Sequence, residues 1–238
     1  MSFSYSSLIL TALIPSGLLA QQSPLQIDWG TSTIADTIVD SNGDAISVDD
    51  YAIELGGFAA GFVPTAANIG DWVNNWQVFD AVTAADTDTA DSFVAGTGTD
   101  ARFVGSALLD TDQTSLSEDG NGVDVFEAGS QAYVFVRNQD EIGPDSEWLL
   151  YTSESGEDWE FPSVTGTQTQ FPLTWFVSEV DTVLFGAANT TIVGDGEFTD
   201  TSPNFVLRTH TFVPEPSTSL LLLGASLGLV GRRRRGSH

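Results

Sequence analysis

The stretch "AYVFVRN" at residues 132–138 is apolar on both faces until Arg137. A run of aromatic and β-branched residues this short, bounded by polar turn formers, reads as a strand covered on both sides. Working outward, "YAIEL" at 51–55 alternates Tyr51, Ile53 and Leu55 against Ala52 and Glu54, the period of a half-buried strand. In "IVDSNGDAI", Asn42-Gly43 supplies the positive φ angles of a tight hairpin turn. "EWLLYTS" (147–153), "LTWFVSEV" (173–180), "DTVLFGAA" (181–188) and "NFVLRTHTFV" (204–213) are further strands, separated by Gly, Pro, Asp and Ser. Short strands at regular spacing predict an all-β chain with one β-sandwich or jelly-roll-like domain.

One segment breaks this rhythm. In "PTAANIGDWVNNWQVF" (64–79), Thr65 can cap a helix, and Ile69, Trp72, Val73 and Trp76 recur at helical spacing. The expectation is a short amphipathic helix packed onto the sandwich and closing one end of its core. An exposed aromatic face for sugar binding is the other reading. The acidic loop from 110 to 124 reads as a mobile insertion.

Charge narrows the partners. The chain of 238 residues has a net charge of −26, no Lys and no Cys. Between residues 21 and 213, 32 acidic side chains face only Arg102, Arg137 and Arg208. Such a surface repels phosphate backbones, which makes nucleic acid a poor partner, and it keeps the body soluble by self-repulsion. Without Cys there is no disulfide, thiol nucleophile or thiolate metal site.

The two ends address the chain. "MSFSYSSLILTALIPSGLLAQQSP" (1–24) holds a mostly apolar stretch from Leu8 to Leu19, the length of a signal-peptide core. Cleavage is expected between Ala20 and Gln21, making residues 1–20 the signal peptide. At the other end, "VPEPSTSLLLLGASLGLVGRRRR" spans 213–235. Ser217–Gly231 is uncharged over fifteen residues. As a helix it would span ~22 Å, against ~30 Å of hydrocarbon, so it needs a thinned bilayer or Arg side chains reaching outward. Arg232, Arg233, Arg234 and Arg235 form a cytoplasmic stop by the positive-inside rule, which leaves residues 21–212 as an acidic ectodomain outside the inner membrane. Pro214 and Pro216 fix φ and remove amide donors, so neither a strand nor a helix runs through them.

Pro214-Glu215-Pro216, an apolar helix and an Arg cluster, in that order, resemble the PEP-CTERM sorting signal. The resemblance covers 213–235. It implies recognition by an exosortase, a membrane-embedded, cysteine transpeptidase-like enzyme of Gram-negative bacteria that make exopolysaccharide. Pro214, Glu215 and Pro216 would be recognition residues, and the helix and Arg block would be removed after a transient stay in the inner membrane. Export machinery is the other partner implied. More loosely, "ELGGF…GFVPTAANIGDWVNNW" and "EWLLYT…WEFP" resemble ectodomains found ahead of such tails, which bring no established activity.

For catalysis the inventory is thin. The two His residues are His210 and His238, so a Ser–His–Asp site would have to use His210, and zinc hydrolysis lacks imidazoles. No phosphate-cradling glycine motif with its Lys is present. "ESGEDWEF" (154–161) sets Glu157, Asp158 and Glu160 around Trp159, leaving an Asp/Glu-pair glycosidase open. Asp40, Asn42 and Asp44 occupy the first side-chain positions of an EF-hand-like calcium loop, but Ala45 and Tyr51 replace its Gly and bidentate Glu. Asp110, Asp112, Asp119, Asn121 and Asp124 follow no recognised spacing. The expectation is therefore an exported, non-catalytic protein of the cell surface or exopolysaccharide matrix, without cofactor. A secreted glycan-active enzyme, or a calcium- or carbohydrate-binding module with the same tail, is the alternative.

Overall fold

The computed structural model describes residues 23–31, 37–82, 92–94, 102–154, 159–164, 172–188, 191–193 and 207–212. Ala20, Gln21, Glu157, Asp158, Pro214, Glu215, Pro216, the apolar segment behind them and Arg232–Arg235 lie outside the described residues. The body is all-β with one short helical segment, and both of its sheets are open. The smaller sheet runs β5 (Ser92–Val94), β6 (Arg102–Leu109), β1 (Leu25–Gly30) and β9 (Leu173–Phe176). The larger runs β2 (Ile38–Val39), β12 (Leu207–Arg208), β10 (Thr182–Ala188), β8 (Glu147–Thr152), β7 (Tyr133–Arg137), β3 (Ala52–Phe58) and β4 (Trp76–Val82). Two short strands attach to this path, β11 (Thr191–Val193) on β10 and β13 (His210–Thr211) on β8. Pairing is antiparallel except for β1 with β9 and β2 with β12.

Alternation builds the core between the sheets. In β1, Leu25, Ile27 and Trp29 are buried while Gln26 is exposed; β6 buries Phe103, Ala107 and Leu109. They join Ile53 and Leu55 of β3, Phe79 of β4, Val134 and Val136 of β7, and Leu149 and Tyr151 of β8 in one cluster. A polar tie crosses this core: Trp29 Nε1 donates to Asp80 Oδ2 at 2.6 Å, and Ser117 Oγ donates to the other carboxylate oxygen at 2.6 Å. The Trp29 indole lies directly on Gly105, where any Cβ would overlap its ring.

β7 is buried on both faces because the large sheet has a second apolar layer. Tyr133 and Phe135 point away from the first core, towards Trp72, Trp148, Leu150 and Phe185. Arg137 is buried as well, against the expectation that the strand's polar end begins there. Its guanidinium pairs with Glu54 (2.6 and 3.2 Å) and Asp140 (2.7 Å), satisfying the charge that burial would otherwise penalise.

The helical segment is shorter than its periodicity predicts. A 3-10 turn at Ala66–Asp71 leads into α1 (Trp72–Asn75), and Trp76 already has the extended backbone of β4. Asn68 leaves helical geometry (φ −117°, ψ 22°), and Asn74-Asn75 are weak helix formers, so the helix stops after one turn. Asn68 Oδ1 accepts from Thr65 N–H at 2.7 Å and from Trp72 Nε1 at 3.0 Å. The segment covers the outer face of the large sheet and does not close an end of the inter-sheet core. The acidic loop expected to be mobile is docked: Ser115 Oγ donates to Phe79 O, Ser117 Oγ to Asp80, and Asn121 N–H to Val78 O at 2.9 Å.

Replacing Gly105 with Ala drives a methyl group into a buried indole held by Asp80. The variant is expected to lose about 1–3 kcal/mol of stability in urea unfolding; an unchanged midpoint would contradict this packing.

Candidate functional site

The end of the described body is built into a notch in the large sheet. β10 pairs with β8 through Thr182, Val183 and Phe185, with a register shift before Phe185. It then turns away at Gly186, whose φ is +111°. A Cβ there would stand 2.6 Å from Leu149 Cδ1 and 2.8 Å from the Arg208 carbonyl, so glycine is required by conformation and by space. The departing β10 pairs with β12, while β8 is left free to pair with β13 through Trp148↔His210 and Glu147↔Thr211.

Backbone bonds follow the chain to its last described residue. Leu207 N–H donates to Thr37 O (3.2 Å), Thr209 N–H to Val39 O (3.0 Å) and Phe212 N–H to Ser146 O (3.3 Å). The Phe212 ring stacks on Phe185 at 4.6 Å and meets Trp148 edge-on at 5.1 Å. His210 is fully buried, 5.0 Å from the Phe185 ring, where it is a packing residue and not the solvent-facing base of a hydrolase.

Glu147 holds this arrangement together. Its carboxylate accepts from Ser41 N–H (3.0 Å), Ser41 Oγ (2.7 Å), Tyr51 OH (2.8 Å) and Thr209 Oγ1 (2.7 Å). The hairpin after β2, the start of β3, the start of β8 and the residue between β12 and β13 thus meet on one side chain. Burial alone would raise the Glu147 pKa, but the bonds from Thr209, Ser41 and Tyr51 outweigh it and hold the carboxyl below the usual range. Burial first, then the hydrogen bond to Glu147 and its charge, pushes the Tyr51 hydroxyl well up, so it remains a donor.

The other candidate residues are used locally. Gly43 has φ +90°, and Asp40 Oδ1 accepts from Asn42 N–H and Asp44 N–H, both at 2.8 Å: the calcium candidates form an Asx-type hairpin turn. Asp110 and Asp112 accept from Thr111 and Thr114, and Asp124 from Gln77. Among the described residues no group of three His, Cys, Asp or Glu side chains is placed to hold a metal ion. Trp159 is 1% exposed, stacked on Trp175 at 6.2 Å, so it forms core and not the wall of a sugar cleft; Glu160 beside it is exposed. A shallow groove of about 350 Å³ lies between Val48–Glu54 and Ala81–Val82. Its Glu54 is already engaged by Arg137 and by Trp76 Nε1 at 2.7 Å.

Residues 212–235 match the family model of the PEP-CTERM protein-sorting motif. This chain carries a PEP-CTERM sorting signal. No curated protein and no solved structure matches it. The signal implies an exported protein processed at the membrane by an exosortase. Its first matched residue is Phe212, whose N–H donates to Ser146 O.

Glu147 was not legible as a hub. Its partners lie 106, 96 and 62 residues away, and no local spacing marks them. The one signal was an acid opening a strand otherwise composed of buried residues.

Because the Glu147 pKa is depressed on folding, its contribution is present above the ordinary carboxylate pKa and lost as pH falls through the folded value. Glu147→Gln should cost about 1–3 kcal/mol near neutral pH. The gap between variant and parent should narrow in urea unfolding as the pH falls below the ordinary carboxylate range; an equal gap there and at neutral pH would contradict the hub.

Proposed function

We propose that the body is a non-catalytic structural or binding module of the cell surface or exopolysaccharide matrix, a two-sheet sandwich delivered by its PEP-CTERM tail. The observation that carries this reading is where the aromatic chemistry goes. Trp29, Trp72, Trp148, Trp159 and Trp175 are all buried, and Trp76 is half-buried with its N–H committed to Glu54. The ring faces a glycan would stack on are instead the two cores of the fold. The carboxylates of Glu54, Asp80 and Glu147 are likewise bound by internal donors.

Delivery follows from the ends. A signal peptide cut between Ala20 and Gln21 exports the chain, the segment behind Pro214-Glu215-Pro216 holds it in the inner membrane, and Arg232–Arg235 stop it there. Exosortase processing at the motif then releases the body from its temporary anchor. The acidic surface keeps that body soluble and separate from its neighbours in the matrix.

Mass spectrometry of the mature protein from its native host tests the scheme. The expected product begins at Gln21, lacks the Arg block and releases no new reducing ends from the host's exopolysaccharide. A cytosolic chain with both ends intact would overturn the delivery, and glycan cleavage would overturn the non-catalytic reading. Replacing Arg232–Arg235 with Ser should weaken retention of the precursor in the membrane fraction, whereas unchanged fractionation would contradict the stop.

A further inference from the structure

The sequence holds two Asn-Gly pairs, Asn42-Gly43 and Asn121-Gly122. An asparagine followed by glycine can lose its side-chain amide to attack by the next backbone nitrogen, because glycine has no Cβ to shield that nitrogen. The attack needs a nitrogen that is not held in a hydrogen bond and a side-chain amide free to swing over it. The two pairs share one dipeptide chemistry and differ in whether the fold meets these conditions.

At Asn42 it does not. Gly43 N–H donates to Asp40 O at 3.1 Å, and Gly43 is buried with φ +90°. Asp40 Oδ1 clamps the backbone on both sides of Gly43 through Asn42 N–H and Asp44 N–H, and Asn42 Nδ2 reaches Asp40 Oδ2 at 3.4 Å. At Asn121 the conditions are met. Asn121, Gly122 and Val123 are all exposed. Among the described residues nothing accepts from Gly122 N–H, although Asp124 N–H closes the turn onto Asn121 O at 3.1 Å. Asn121 Oδ1 accepts from Val123 N–H at 3.4 Å, which folds the side chain back along the Gly122 backbone. Gly122 is not in the left-handed region, and a Cβ there would meet Ser115 O at 3.6 Å, an ordinary contact. The turn therefore does not require its glycine, unlike the turn at Gly43.

We propose that Asn121 is a site of spontaneous deamidation, and that Asn42 is protected from the same reaction by its turn. Hydroxide takes the Gly122 amide proton, and the nitrogen attacks Asn121 Cγ. The Cγ–Nδ2 bond breaks, and ammonia leaves with a proton taken from water. Water then opens the five-membered imide at either carbonyl, giving aspartate or isoaspartate. The isoaspartate product puts one extra methylene into the main chain and turns the Asn121 carbonyl into a free carboxylate, which breaks the turn to Asp124. Either product adds a negative charge to a loop that already carries Glu118, Asp119 and Asp124. The loop loosens at 121–124 first, while Ser115 and Ser117 still hold it to Phe79 and Asp80.

Peptide mass spectrometry of the full-length folded protein, aged in mildly alkaline buffer, tests this. Asn121 should convert to the acid about threefold to tenfold faster than Asn42, the range that one backbone hydrogen bond is worth. In protein unfolded in urea the two should convert at similar rates, because the protecting bonds of Asp40 are gone. Asn42 converting as fast as Asn121 in the folded protein would overturn the proposal, and so would a difference that persists in urea. Gly122→Ala, which the backbone accommodates, should slow Asn121 severalfold and leave Asn42 unchanged; an unslowed Asn121 would show that attack by residue 122 is not the route. In the aged protein, amide exchange should quicken at Asp124 and stay slow at Phe126, which is bonded to Gln113 O. Protection retained at Asp124 in the isoaspartate fraction would overturn the loosening.

Discussion

Four hydrogen bonds converge on the Glu147 carboxylate, from Ser41, Tyr51 and Thr209. Each partner belongs to a different part of the large sheet, and none lies near Glu147 in sequence. A carboxylate half removed from water is costly unless its lone pairs are satisfied, so this site forms as a unit or not at all. Its formation fixes the hairpin after β2, the entry to β3 and the last turn of chain before the tail. The notch that receives this last segment exists because Gly186 lets β10 swing off β8. Removing either feature leaves the C-terminal strand without a place to pair.

Around that hub the body uses its aromatic residues to cover both faces of one sheet. The inter-sheet core holds Trp29, Trp159 and Trp175; the outer layer holds Trp72, Trp148 and Phe185, roofed by the short helical segment. Burial at roughly 25 cal/mol per Å² makes these large rings a major source of stability. The same arrangement removes them from service as a binding surface. What the exterior offers is acidity, which keeps the body dispersed by self-repulsion.

Sequence pattern revealed the elements better than their partners. The alternation of Ile53 and Leu55 and the two-faced burial of 133–136 appear as expected, because each is a local consequence of strand period; at Asn42-Gly43 a hairpin forms, but Gly43 alone of the two takes the positive φ expected of both. Trp72 and Trp76 share a face as helical spacing required, yet Trp76 reaches it from a strand, since both residues pack in the outer aromatic layer. The strands at Leu25–Gly30 and Arg102–Leu109 alternate as well, but Gly and polar residues within them weaken the apolar signal. The loop at 110–124 looked free because its anchors, Phe79 and Asp80, lie more than thirty residues away. The sorting signal was legible throughout, since its parts are contiguous and read by order alone.

The account turns on a body that is ordered up to the residue where its sorting signal begins. Amide hydrogen exchange at Leu207, Thr209 and Phe212 in the full-length protein tests this most directly. Their bonds to Thr37, Val39 and Ser146 predict exchange slowed by roughly a hundredfold or more at Leu207 and Thr209 relative to free peptide, with Phe212 opening first. Free-peptide exchange at all three, while β7 and β8 stay protected, would contradict it.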